Sequence, residues 1–160
     1  MVVASRASLS ASDVAEQLGP LVGAQHVLIG DAVNEDLSHD EALTATPQRP
    51  LAVVRPGDTD EVAAVVRWAA DHGVPVTARG SGTGLSGACI PRPDGLLVDF
   101  SRMAKVLEID GDNHVAVVQP GVTLFELDDA TAEHGLVYTV FPGEGSASLG
   151  GNVATNAGGM

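Results

Sequence analysis

The sequence predicts an α+β fold in which a parallel β-α-β unit is followed by a mainly antiparallel region. Two apolar runs, at residues 51–54 and 74–78, enclose a segment with helical periodicity, and a crossover of that length joins parallel strands. After residue 95 the apolar runs are short and separated by turn residues, which is typical of antiparallel pairs. Hydrophobic residues make up 44% of the chain and charged residues 18%, as expected for a globular protein with a core.

The helix of the β-α-β unit has a signal at each end. Asp58 and Glu61 have the spacing of a capping box, and Gly73 is the expected stop. Between these ends, an apolar stripe falls at positions i, i+3, i+4 and i+7, made of Val62, Val65, Val66 and Ala69.

On the amino-terminal side, the pattern predicts a helix at residues 10–18, with Ser10 or Ser12 as its cap. Residues 30–49 are polar with few periodic apolar positions, so we expect them to run over the surface. These features divide the chain into an N-terminal helix and surface segment, residues 1–49, and one main domain, residues 50–160.

On the carboxyl side, we predict a strand at residues 95–100 and a hairpin around the turn at residues 111–113. The hairpin strands are residues 106–110 and 114–121. A helix follows, with Thr123 as its cap, His134 as its last residue and Gly135 as its stop, and then a strand at residues 136–141.

The composition excludes several classes of function. The net charge of −13 leaves no basic patch for the phosphates of a nucleic acid. The single cysteine, Cys89, excludes an intrachain disulfide and a cysteine-based zinc cluster. No run approaches the roughly 20 apolar residues of a membrane span, so we expect a cytoplasmic protein. The histidines lack metal-ligand spacing, and we predict no metal site: His26, His39, His72, His114 and His134.

The segment "ARGSGTGLSGACIPRP", residues 78–93, contains the G-x-G-x-x-G pattern of a dinucleotide-binding turn. The Rossmann mechanism needs a helix that begins inside this motif, and Pro91 and Pro93 would break it. A Walker A loop needs a lysine followed by serine or threonine, but Lys105 is the only lysine in the chain. Neither type of nucleotide loop therefore fits this segment.

A strand that ends in small residues at 80–84 instead predicts an anion-binding loop. Glycines let the backbone approach a phosphate closely and present successive N–H groups to it. Ser81, Thr83 and Ser86 add hydroxyl donors. A tight turn without a ligand is the alternative, although four glycines in residues 80–87 exceed what a turn requires.

A second glycine-rich segment, "PGEGSASLGGNVATNAGG", occupies residues 142–159. A helix that begins near Gly150 would present its N–H groups there, and the two segments would form two walls of a groove around a long phosphorylated ligand. The alternative is a flexible linker, which Leu149 and Val153 disfavour because they look like packing positions.

Together with "VQPGV" at residues 118–122, these two segments resemble the FAD-binding domain of the vanillyl-alcohol oxidase / p-cresol methylhydroxylase (PCMH) superfamily. The most similar pattern is that of the glycolate oxidase FAD-linked subunit, D-lactate dehydrogenase and D-2-hydroxyglutarate dehydrogenase branch. The resemblance covers about residues 50–160. It implies two α+β subdomains with FAD between them, and oxidation of a 2-hydroxy acid to a 2-oxo acid by hydride transfer to the flavin.

The resemblance also implies which residues bind the cofactor. The pyrophosphate would lie on the first segment, at Ala78, Arg79, Gly80, Ser81, Gly82, Thr83 and Gly84. Pro120 and Gly121 would pack near the adenosine portion. The rest of the flavin site would be lined by Pro142, Gly143, Gly145, Ser146, Ser148, Gly151, Asn152, Thr155, Asn156 and Gly158. For Arg79, a phosphate ligand and a strand-end residue paired with a carboxylate remain alternatives.

Two departures from the family pattern carry further expectations. Members that attach FAD covalently through the first segment carry a histidine where this chain has Thr83, so we expect non-covalent FAD. Family enzymes also continue well beyond the last motif, so we expect an incomplete domain without the catalytic residues. The alternatives are a catalytically silent FAD-binding module and a different nucleotide cofactor on a similar loop. The electron acceptor is left open.

Overall fold

The structure, a computed structural model, describes residues 9–159. Four α-helices are described: α1 (Ala11–Val22), α2 (Thr59–His72), α3 (Leu124–Ala132) and α4 (Leu149–Thr155). Six strands are described: β1 (Val27–Leu28), β2 (Ala52–Val54), β3 (Val76–Arg79), β4 (Leu96–Asp99), β5 (Val106–Asp110) and β6 (Val115–Val118). The α+β class of the fold, with a parallel unit before an antiparallel pair, is confirmed.

The first sheet has the strand order β1-β2-β4-β3. Strands β2 and β3 are both parallel to β4, which lies between them, while β1 is antiparallel to β2. The two strands of the predicted β-α-β unit are therefore parallel without being neighbours. All three parallel strands end at the same edge of the sheet, where open α/β sheets bind their ligands.

The caps predicted from the sequence position the two larger helices. The Ser10 hydroxyl accepts from the Asp13 amide at 3.1 Å and starts α1, and Asp58 accepts from the Glu61 amide at 2.8 Å and starts α2. Gly73 ends α2 in the left-handed conformation, with φ of 63°. Helix α1 runs to Val22 rather than residue 18, because its buried face continues for one more turn.

Apolar side chains cover both faces of this sheet. One face packs on α1 and α2 through Val14, Leu18, Val22, Val65 and Ala69. The other face buries Val53 and Leu97 beneath Val33 and Leu37. The prediction that residues 30–49 run only over the surface is therefore wrong, since this segment places two apolar residues in the core. Strand β1, too short to give a pattern, was not predicted.

The antiparallel pair β5 and β6 forms the predicted hairpin. It packs with α3 and α4 around Val122, Leu124, Leu127 and Leu149. The prediction of a strand at residues 136–141 is wrong, because these residues form no strand and Val137 is 73% exposed. Its residues favour β structure, but a strand forms only where a partner is available for its backbone.

Candidate functional site

A cleft of about 280 Å³ opens where β3 ends and α4 begins. No helix follows the first glycine segment, since residues 81–95 form bends and turns, as the prolines predicted. Predicted site residues from both glycine segments line this one cleft: Gly80, Ser81, Gly82, Thr83, Gly84, Pro142, Ser148, Gly151, Asn152 and Thr155. The two segments are thus two walls of one groove.

The two walls touch at Gly80 and Ser148. A side chain at Gly80 would overlap the buried Ser148 hydroxyl, so only a glycine allows this approach. That hydroxyl lies 3.4 Å from the amide nitrogen of Ser81 and 3.4 Å from the amide nitrogen of Gly151. One oxygen therefore caps α4 and also joins its start to the other wall.

The first wall offers unpaired backbone donors. Among residues 9–159, the N–H groups of Gly82, Thr83 and Gly84 have no hydrogen-bond acceptor. Gly82 has a φ of 78°, in the left-handed region, as occurs in loops whose successive amides bind an anion. Gly82 and Gly84 line the cleft without side chains of their own, so a phosphate group can approach their backbone amides closely.

Some predicted site residues lie outside this cleft. Ala78 and Pro120 line a neighbouring cleft of about 520 Å³, which shares Gly80, Gly151 and Thr155 with the first. Gly121 packs closely against the carbonyl oxygens of Phe100 and Met103. The remaining predicted residues line neither cleft: Arg79, Gly143, Gly145, Ser146, Asn156 and Gly158.

Of the cleft residues that sequence reasoning did not place in the site, three carry an ionisable group. Glu144 accepts from the Ser146 amide at 2.9 Å and from its hydroxyl at 2.8 Å, and these bonds hold the pKa of the carboxyl below its usual range. Cys89 is half-buried, and burial raises the pKa of its thiol. Asp40, 5% exposed, approaches the loop from a segment far away in sequence. The acid in "PGEG" was a readable signal, but nothing local identifies Asp40.

The charges at the cleft restrict its chemistry. Among the described residues that line it, Asp40 and Glu144 are acidic and none is arginine, lysine or histidine. An anionic ligand here would therefore depend on backbone N–H groups. Within residues 9–159, no group of three or more histidine, cysteine or acidic side chains is placed to hold a metal ion, and no helix is long and apolar enough to cross a membrane.

A family model described as an FAD binding domain matches residues 50–160. An uncharacterized FAD-linked oxidoreductase of Mycobacterium tuberculosis is 56% identical over 149 residues, which are 93% of this chain and 32% of that protein. A D-lactate dehydrogenase of Anaerostipes hadrus is 42% identical over 139 residues, which are 87% of this chain and 29% of that protein. Proteins named glycolate oxidase subunit and D-2-hydroxyglutarate dehydrogenase also match, which confirms the branch that the motifs resemble.

The fold agrees with that of p-cresol methylhydroxylase. A structure of that enzyme with substrate bound superposes with a TM-score of 0.76 at 22% identity, over 91% of this chain and 28% of the enzyme. This match confirms the PCMH-type fold. The chain spans about a third of the length of the curated relatives it matches.

Proposed function

Because the chain belongs to the FAD binding domain family, we propose that its cleft holds the diphosphate and flavin side of a non-covalent FAD. We further propose that the chain is the FAD-binding portion of an oxidoreductase that oxidises a 2-hydroxy acid of the glycolate, D-lactate or D-2-hydroxyglutarate type. The names of its relatives support this substrate class.

One observation carries the proposal: both glycine-rich segments line a single cleft and meet at Gly80 and Ser148. A dinucleotide cofactor has a central pyrophosphate with a bulky group at either end. The free amides of Gly82, Thr83 and Gly84 suit the pyrophosphate, and the wall formed by residues 142–155 suits the adjoining part of the flavin.

Bound FAD would supply acceptance of a hydride from the substrate carbon, and loss of the hydroxyl proton to a base would complete the conversion to a 2-oxo acid. The residues of this chain bind and orient. Backbone amides would stabilise the diphosphate through hydrogen bonds, because this chain with a net charge of −13 places no cationic side chain among the described residues of the cleft. Thr83 lines the cleft at the loop, and its hydroxyl cannot form the histidyl bond of covalent family members.

A 2-hydroxy acid carries a carboxylate, which enzymes bind with arginine or lysine, and no such side chain lines the cleft among the described residues. This observation favours the second candidate function, an FAD-binding module without catalysis. Both candidate functions include FAD binding. They differ only in whether a 2-hydroxy acid reduces the flavin that is bound to this chain.

The test is reconstitution of the purified chain with FAD, followed by gel filtration and flavin absorbance. We expect a yellow protein whose flavin goes into the supernatant on acid precipitation. A yellow pellet would contradict non-covalent attachment, and a colourless protein would contradict FAD binding by this chain. Anaerobic addition of D-lactate, glycolate or D-2-hydroxyglutarate then separates the candidates, since bleaching requires an active enzyme and a stable colour indicates a silent module.

A further inference from the structure

Arg79, the last residue of β3, is buried behind the first glycine segment. It is 8% exposed and lines neither cleft. Its Nη1 donates to the carbonyl oxygen of His39 at 2.6 Å. The guanidinium also fills the space beside Gly82 in which a Cβ atom would lie, with Nη1 2.8 Å from that position. The side chain therefore supports the loop at the residue with left-handed backbone.

The segment that accepts this bond holds the loop at two more points. The Glu41 amide donates to the carbonyl oxygen of Gly84 at 2.9 Å. The Asp40 carboxylate lies 3.5 Å from the Cys89 amide nitrogen and accepts from its own neighbour, the Ala42 amide, at 3.1 Å. We call residues 39–41 the clamp segment. His39 contacts Arg79 before the loop, Glu41 contacts Gly84 in its middle, and Asp40 contacts Cys89 at its end. The clamp segment nevertheless precedes the residues that the family model matches.

We propose that Arg79 is a positioning residue of the loop at residues 80–89, the cofactor loop, which it holds against the clamp segment so that the amides of residues 82–84 face the diphosphate. This inference rests on the proposed function. A planar guanidinium suits the role because it donates in several directions at once, whereas a lysine ammonium is a point charge on a flexible stem.

Two other roles of Arg79 would have different consequences. A direct phosphate ligand would contact the diphosphate, and its removal would leave the empty loop unchanged. A purely structural strand-end residue would affect the whole sheet. A positioning residue instead affects the order of the loop before any cofactor binds, because a preorganised site loses less entropy on binding.

The experiment uses the full chain and three variants: Arg79→Met, Arg79→Lys and the control Arg49→Met. Arg49 is exposed and donates to the Gly30 carbonyl oxygen at 3.3 Å, away from the loop. Hydrogen exchange by mass spectrometry is measured on the flavin-free proteins, and FAD affinity is measured by quenching of flavin fluorescence. Should Arg79→Met fail to fold, Arg79→Lys alone decides between the roles.

We expect exchange at the Glu41 and Cys89 amides, whose hydrogen bonds join the clamp segment to the loop, to accelerate about tenfold in both Arg79 variants, with β2 and β4 unchanged. FAD should bind about tenfold more weakly. The control should match the parent chain. Unchanged exchange at the Glu41 and Cys89 amides, or FAD affinity restored by Arg79→Lys, would overturn the proposal, as would faster exchange throughout the sheet. If the parent chain binds no FAD but its loop still responds to Arg79, the positioning role stands and the proposed function fails.

Discussion

At the scale of single residues, the cleft depends on Gly82, because a charged group of another residue occupies the space that a side chain at this position would need. Gly82 has a left-handed φ of 78°, and the Arg79 guanidinium occupies the place of its Cβ. Two separate constraints therefore apply at this position, one on the backbone and one on space. Gly135, three residues beyond α3, is a useful comparison, since its φ is 67° and nothing lies within 4 Å of its Cβ position.

We predict that Gly82→Ala and Gly135→Ala each lose about 1–2 kcal/mol of stability from the left-handed backbone. Only Gly82→Ala should also displace the guanidinium from its place behind the loop and abolish retention of FAD. Thermal unfolding and flavin absorbance after gel filtration measure the two effects. Flavin content equal to that of the parent chain in Gly82→Ala would remove this loop from the site.

At the scale of elements, Ser148 is the junction of the two walls. Its hydroxyl starts α4 by accepting from Gly151 and lies at the same distance from the Ser81 amide of the other wall. Ser10 has the first of these roles but not the second, because its contacts lie within the first turn of α1. A comparison of Ser148 with Ser10 therefore separates the effect of helix capping from the effect of the link between the two walls.

We predict that Ser148→Ala and Ser10→Ala each lower the free energy of unfolding by about 1 kcal/mol, the usual cost of a lost cap. Ser148→Ala should also weaken FAD binding, because the Ser81 amide loses its fixed partner and the walls are no longer joined. Urea unfolding and flavin fluorescence quenching are the measurements. Equal FAD affinities in the two variants would mean that the junction does not shape the cleft.

The helices and strands show which features of the fold can be predicted from the sequence and which cannot. Caps and stops are local, so Ser10, Asp58, Gly73 and Thr123 could be predicted within a residue or two. Pairing is not local: nothing along the chain indicates that β4 lies between β2 and β3, or that residues 136–141 lack a partner strand. In the cleft, repeated glycines identified both walls. Asp40 could not be found because its contact with Cys89 spans 49 residues.

At the scale of the whole molecule, residues before position 50 complete the core of the first sheet. Val14, Leu18 and Val22 pack on one face, and Val33 and Leu37 cover the other. The clamp segment that contacts the cofactor loop lies in the same stretch. The family model begins at residue 50, yet residues that precede the match cover one face of the sheet that carries its first loop and part of the other.

We therefore predict that a chain beginning at Pro50 does not fold, even though it keeps all of the family match. Each buried valine or leucine side chain contributes about 1.5–3 kcal/mol, so loss of five approaches or exceeds a typical total stability of about 5–15 kcal/mol. Far-UV circular dichroism and thermal unfolding provide the measurement.

Point variants measure, within the intact chain, how much stability the residues before position 50 contribute. Leu18→Ala, at a fully buried position, should cost about 2–5 kcal/mol. Leu43→Ala is the matched control, because Leu43 lies in the same stretch and is 99% exposed, so it should change stability by less than about 0.5 kcal/mol. A cooperative melting transition in the chain from Pro50 would mean that the matched segment supplies its own core. In that case Leu18→Ala should also be tolerated, since the face that it covers would be stable without it.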